Sequence, residues 1–300
     1  MLEWDHTQLF LKSKIYIENA LSVPRDGPLF PFWASLALEA LARATLANVH
    51  PVLLADPLQE GNILYAFGYH TTEQPRSVKA KTVFTRCKTV VKDFTEQEFK
   101  FCMSLAERRN QELHTGVSAF EDFPSKLWLA DYFRICKLLL PCLGLTLSHL
   151  FGREEALSAD KMIEAAEKQH ERDVYKLIAD AKKSFEALSP DNKLHTKAAG
   201  SLQAQAQTTE LGKLATCPSC EAQGLLSGEK VSLAEPVLAG DQISQETVAL
   251  PTEFACFSCG LRLRGYSAIH QAQLGGQYTI VKYYDPMEYY NPYEEEYNNE

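Results

Sequence analysis

The chain has 300 residues, 45% hydrophobic and 23% charged, the ordinary balance of a soluble globular protein with room for two domains. No apolar run approaches the roughly 18 residues that span a bilayer, because the densest stretch, Leu138 to Leu150, is interrupted by Pro141 and Gly144, and no membrane partner is expected. The net charge of −9 opposes a polyanionic partner only if it is evenly spread, and it is not: residues 285–300 carry Asp285, Glu288, Glu294, Glu295, Glu296 and Glu300 without a Lys or Arg, whereas residues 76–92 carry Arg76, Lys79, Lys81, Arg86, Lys88 and Lys92 without an acid.

The N-terminus, Met1-Leu2-Glu3-Trp4-Asp5, is acidic and lacks the apolar core of a signal peptide, so a cytoplasmic location is expected. Residues 1–188 read as a helical bundle. Asp5 caps a first helix bearing Leu9, Phe10, Ile15, Tyr16 and Ala20. A turn at Pro24-Arg25-Asp26-Gly27-Pro28 leads to an Ala- and Leu-rich helix over 30–48, which contains Glu39 and ends at His50-Pro51. Residues 51–75, with Gly61, Gly68 and Pro75, form a loop region. The basic run fits a third helix at 77–91. Its cations form either a phosphate-contacting surface or a merely solvated face.

The next helix begins at a capping box, Thr95-Glu96-Gln97-Glu98, and buries Phe99, Cys102, Met103 and Ala106. Gly116 is its expected terminator, which places the end near His114 or Thr115. Pro124 opens a helix reaching about residue 150. Ser158 caps a long polar helix to 188 whose apolar side carries Met162, Ala166, Val174, Ile178, Ala181 and Phe185. Within residues 189–212, Gln203, Gln205 and Gln207 alternate with Ala204 and Ala206 and few large apolar residues appear, so the stretch reads as a linker with room for some helix.

Residues 213–284 are β-like and hold two knuckle motifs, Cys217-Pro218-Ser219-Cys220 and Cys256-Phe257-Ser258-Cys259. Paired CxxC turns supply four thiolates in a tetrahedral set, which points to zinc. Four sulfurs close the coordination sphere to water, so the ion is expected to be structural. The 35 residues between Cys220 and Cys256 fit a hairpin carrying Val231, Leu233, Val237 and Leu238 with a polar turn at Gly240-Asp241. The module resembles zinc ribbons that contact nucleic acids or proteins. Arg262, Arg264 and Lys282 give it a basic edge, and Tyr266 and Tyr278 either stack on bases or belong to its core. The remaining cysteines, Cys87, Cys102, Cys136 and Cys142, read as small buried hydrophobes. The tail over 285–300, rich in Tyr and Glu, reads as disordered; it either solubilises the chain or mimics nucleic acid against residues 76–92. The fold class is α+β in separate domains, an all-α bundle followed by a small β zinc ribbon.

One run in the bundle carries chemistry: Arg109-Asn110-Gln111-Glu112-Leu113-His114. Cleavage of RNA by its own 2′-hydroxyl needs a base, an acid and a cation at phosphorus. Histidine suits the proton transfers and arginine the charge, since its fork donates to two phosphate oxygens and stays protonated. On an ideal helix Arg109 and His114 point about 140° apart, while Asn110 and His114 share a face. Asn110 is therefore expected to orient the imidazole. One helix makes a poor complete site, so a homodimer that brings two Arg and two His around one phosphate is expected.

This run and its helical setting resemble the HEPN family of small, commonly dimeric helical bundles. Many members are metal-independent endoribonucleases in antiviral, toxin–antitoxin and RNA-processing systems. The resemblance covers residues 1–188 by architecture and about six residues by motif. It implies Arg109 and His114 as the catalytic pair and Asn110 as the polar companion, with RNA as substrate and a regulatory protein or antitoxin as a possible partner. Glu39 stands loosely where some members place an acid that orients the Arg. Members without the motif serve as partners of nucleotidyltransferases, so a non-catalytic scaffold is the alternative.

Overall fold

In the computed structural model, described for residues 3–59, 61–70 and 74–290, the chain divides into two compact units, Met1–Ala166 and Glu167–Glu300. The first is helical: α1 (His6–Leu21), α2 (Leu29–Val49), α3 (Gly61–Ala66), α4 (Ala80–Val90), α5 (Glu96–His114), α6 (Leu129–Leu139), α7 (Leu147–Phe151) and the start of α8 (Arg153–Glu186). At its centre lies α2, packed against α1, α4, α5 and α6. Its Ala34, Ala37, Ala42, Ala44 and Ala47 are buried, and these small side chains allow neighbouring helices close approach; Leu38, Leu41 and Leu46 fill the space between them. Contrary to the sequence expectation, α2 is long and apolar enough to cross a membrane by length and composition alone. Two-thirds of that apolar window (67%) is buried inside the fold, so its composition is that of a helix surrounded by others.

Local signals set the ends of these helices. The Asp5 carboxylate accepts from the Gln8 backbone N–H at 3.0 Å at the head of α1. At the head of α5, the Thr95 N–H donates to Glu98 at 2.7 Å and completes the capping box. Glu98 is buried and also receives Arg134 of α6 at 2.6 Å, so one carboxylate caps α5 and ties it to α6. The expected helix from Pro124 to 150 is broken into α6 and α7, separated by a 3-10 turn over Leu140–Leu143 and a left-handed Gly144. Pro141 and Gly144 explain the break, because neither suits a helix interior.

Helix α8 starts at Arg153, and Ser158 lies inside it rather than at its cap. It gives Ala156, Ala159 and Ile163 to the first core and Val174 and Phe185 to the second. Residues 164–173 between them are exposed on every side, and the division between the units falls there rather than after 188. Most of the stretch expected as a linker with some helix forms α9 (Pro190–Ala206), capped by Ser189.

The second unit adds a six-stranded antiparallel sheet: β1 (Gly212–Thr216), β2 (Gln223–Leu233), β3 (Val237–Ala239), β4 (Gln242–Ala255), β5 (Arg262–Arg264) and β6 (Tyr278–Tyr284), with α10 (Tyr266–Gln271) before β6. The long β4 is the spine and pairs with β2, β3, β5 and β6. Its core holds Leu226, Ala249, Phe254, Leu263 and Ile269. The expected hairpin is present, its Gly240-Asp241 turn joining β3 to β4, but Val231, Leu233, Val237 and Leu238 are exposed. Of the tail, Pro286–Tyr290 forms a short helix, α11, and residues 291–300 lie outside the described residues.

Candidate functional sites

The Arg109 site is built by α2 and α5. Arg109 is buried, at 9% exposure, and its Nη1 donates to Glu39 Oε2 while Nη2 donates to Asn110 Oδ1 at 3.1 Å. The other Glu39 oxygen receives Arg43 Nε at 2.9 Å and Nη2 at 2.7 Å. Burial alone would raise the Glu39 carboxyl, but Arg43 and Arg109 outweigh it and hold the group below the usual carboxylate range. Glu39 is thus an anion held between two guanidiniums. The expectation that Glu39 stands by Arg109 agrees with this geometry. The expectation that Asn110 orients His114 does not: its amide oxygen faces the guanidinium, a stronger donor than an imidazole one turn away.

His114 is the last residue of α5; it is exposed, and its imidazole makes no hydrogen bond to the described residues. Within one chain, then, Arg109 faces inward and His114 outward, as their angular separation of about 140° requires. Helix α5 ends at His114 with Thr115 as C-cap and Gly116 next in the chain, as expected, although Gly116 is not left-handed. Thr115 closes the helix, donating its hydroxyl to Gln111 O at 2.7 Å and accepting from Val117 N at 3.2 Å. The chain beyond is fastened back onto α5: Arg108 donates to Ala119 O at 2.7 Å and lies over the Phe123 ring at 4.4 Å, and Ala119 N donates to Glu112 at 2.7 Å. None of Arg43, Arg108 and Glu112 was foreseen. Only the Glu39–Arg43 pair had a sequence signal, its i,i+4 spacing.

The six cations of residues 76–92 do not form one free surface. Arg86 donates to Leu53 O at 2.5 Å, and Lys88 is paired with Glu96 at 2.7 Å and lies over Phe99 at 4.8 Å. Arg76, Lys79, Lys81 and Lys92 are exposed. Arg43 donates to Ser77 Oγ at 3.0 Å and Val78 O at 2.9 Å, which brings the start of this segment to the Glu39–Arg109 pair. The reading of the acidic tail as a mimic of nucleic acid falls mainly on residues outside the described set.

In the second unit Cys217, Cys220, Cys256 and Cys259 come together, with all four sulfurs within 4.8 Å of one another. The Cys217–Cys259 and Cys220–Cys256 sulfur distances are 3.6 and 3.5 Å. Four thiolates at about 2.3 Å from a tetrahedral centre stand about 3.8 Å apart, so the set fits one metal ion. The two knuckles repeat one another. Glu221 N donates to Cys217 O and Gly260 N to Cys256 O, each at 3.0 Å; Cys217 N donates to Ala222 O and Cys256 N to Leu261 O, each at 2.9 Å. Both turns need a left-handed residue after the second cysteine, supplied by Gly260 at φ 76° and by Glu221 at φ 61°.

The side chain of Tyr278 is not free to stack on bases, for it is buried and donates to Leu211 O at 2.6 Å. Lys282 is paired with Glu210 at 2.8 Å and Arg264 with Glu253 at 3.6 Å, while Arg262 is exposed. Cys87, Cys102 and Cys136 are buried, and burial pushes the Cys87 thiol up to about 12, as expected of inert core thiols. Comparison with family models, with characterised proteins and with solved structures finds no match.

Proposed function

We propose that this protein is a HEPN-type endoribonuclease joined to a zinc ribbon, acting on RNA in the cytoplasm as a homodimer. The observation that carries this reading is the seating of Arg109 between Glu39 and Asn110 on a helix whose last residue is a solvent-facing His114. Two donors of the Arg109 guanidinium are engaged. Arginine has five, so donors remain for a phosphate. In this reading His114 removes the 2′-hydroxyl proton, and Arg109 steadies the charge that gathers at phosphorus. The partner copy's equivalent histidine protonates the leaving 5′-oxygen, and the products are a 2′,3′-cyclic phosphate and a free 5′-hydroxyl. Proton transfer and charge stabilisation both come from side chains, so the cutting step needs no divalent ion. Arg76, Lys79 and Lys81 would contact flanking phosphates. Zinc held by Cys217, Cys220, Cys256 and Cys259 supports the ribbon and takes no part in cutting. A defence or toxin role, with an antitoxin or other regulator, rests on family analogy alone.

A second reading is favoured by the burial of Arg109 against a carboxylate, an arrangement that by itself ties α5 to α2. There the bundle is a scaffold, and the ribbon binds nucleic acid or a protein. Incubating total RNA with the wild-type chain, R109A and H114A separates the two. Cleavage by the wild type that is lost in both variants supports the nuclease; equally intact RNA in all samples supports the scaffold.

A further inference from the structure

We infer that Arg43 is a positioning residue for the Arg109 site, coupling the phosphate-contacting segment to the guanidinium that acts on RNA; the functional part of this inference rests on the nuclease reading. Arg43 sits one helical turn after Glu39 on α2. Its fork serves two clients at once. On one side Nε and Nη2 both hold Glu39 Oε1, at 2.9 and 2.7 Å. On the other Nη1 holds Ser77 Oγ at 3.0 Å and Nη2 holds Val78 O at 2.9 Å.

The first contact fixes the carboxylate that anchors Arg109. With one oxygen clamped by Arg43, Glu39 presents the other to Arg109 in a single orientation. The second contact seats the chain between Arg76 and Lys79 against α2. Here the backbone also pairs with an earlier segment: Asp56 N donates to Arg76 O at 3.1 Å and Val78 N to Leu54 O at 2.8 Å. Arg43 itself is mostly buried, with 16% of its side chain exposed and its donors turned to protein. It acts through Glu39 and the 76–78 segment and does not touch substrate. Lysine can keep only the charge beside Glu39, since a single ammonium lacks the fork that spans two clients.

The experiment uses the full chain as wild type, R43Q, R43K and R109A, each checked for a folded far-ultraviolet spectrum. Nitrogen-15 NMR follows the Arg109 Nε–H resonance, assigned by its loss in R109A, while RNA cleavage gives kcat and KM. In R43Q the resonance shifts and exchanges faster with water, kcat falls by about tenfold or more because a loosened Arg109 no longer meets phosphorus, and KM rises. R43K keeps a cation beside Glu39 but loses the fork, so the Arg109 resonance shifts less and kcat falls less than in R43Q, while KM rises from the unseated 76–78 segment. An Arg109 resonance unmoved in R43Q overturns the inference whatever the RNA does. Identical kcat and KM for R43Q and R43K also overturn it. A shifted resonance in R43Q with no cleavage by the wild type supports the Arg43–Arg109 coupling and sinks the nuclease reading instead.

Discussion

Glu39 is the carboxylate on which the Arg109 site is built. It is mostly buried, and it stays ionised because two guanidiniums compensate its lost hydration. The two kinds of truncation around it therefore differ. R109A leaves Glu39 paired with Arg43, whereas E39A leaves two buried arginines facing each other. E39A is expected to cost toward the lower end of the about 3–5 kcal/mol of a broken buried pair, and R109A less, as read by denaturant unfolding. An equal loss in both would contradict the shared-anion picture. The pH dependence has a definite sign. A carboxyl depressed in the folded state stabilises above its unfolded pKa and loses that contribution as pH falls through its folded one. The advantage of wild type over E39Q should thus be full above the ordinary value of about 4.3 and shrink below it. His114, exposed and unbonded, should be thermally silent: H114A is expected within about 0.5 kcal/mol of wild type. A large loss of stability in H114A would mean that any loss of cleavage came from unfolding.

At the scale of elements, α9 lies in close contact with the second knuckle. A Cβ built on Gly200 would stand 2.6 Å from Ser258 N and 2.9 Å from Phe257 C, both backbone atoms. Ser201 Oγ, one residue on, accepts from Gln223 N at 3.2 Å, and Ala204 is fully buried. Because backbone cannot swing aside as a side chain can, G200A should displace α9 or the knuckle. The expected cost is about 1–3 kcal/mol, with faster amide exchange at residues 257–260. A G200A variant that melts and exchanges like wild type would show that α9 does not dock as described. The capping box offers a milder case: T95A should cost about 1 kcal/mol in unfolding free energy.

At the scale of the whole molecule, two cores with separate sources of stability predict separate responses. The Met1–Ala166 unit rests on apolar burial around α2, where Leu41 and Leu46 are fully enclosed. The core of the other unit includes three of its four clustered cysteines, so a metal held there would be part of its interior. Removing metal from the full chain with a strong chelator should lower one calorimetric transition and leave the other in place. Released ion, measured by elemental analysis, should approach one zinc per chain. Unchanged transitions after complete metal removal would argue that the sulfur cluster is structurally idle.

Much of this was legible along the chain because it depends on local spacing. Capping residues, helical periodicity and paired CxxC turns act within a few residues, so Asp5, the Thr95–Glu98 box and all four clustered cysteines stand where their neighbours place them. Other features depend on distant contacts. No local pattern shows that α2 is surrounded, that Arg43 reaches Ser77 and Val78, that α8 serves two cores, or that the supposed linker is a helix held by Gly200 against a knuckle. The spacing of Arg109 and His114 already sets them apart by helix angle; which of the two is turned inward and which is left in solvent is decided by tertiary burial.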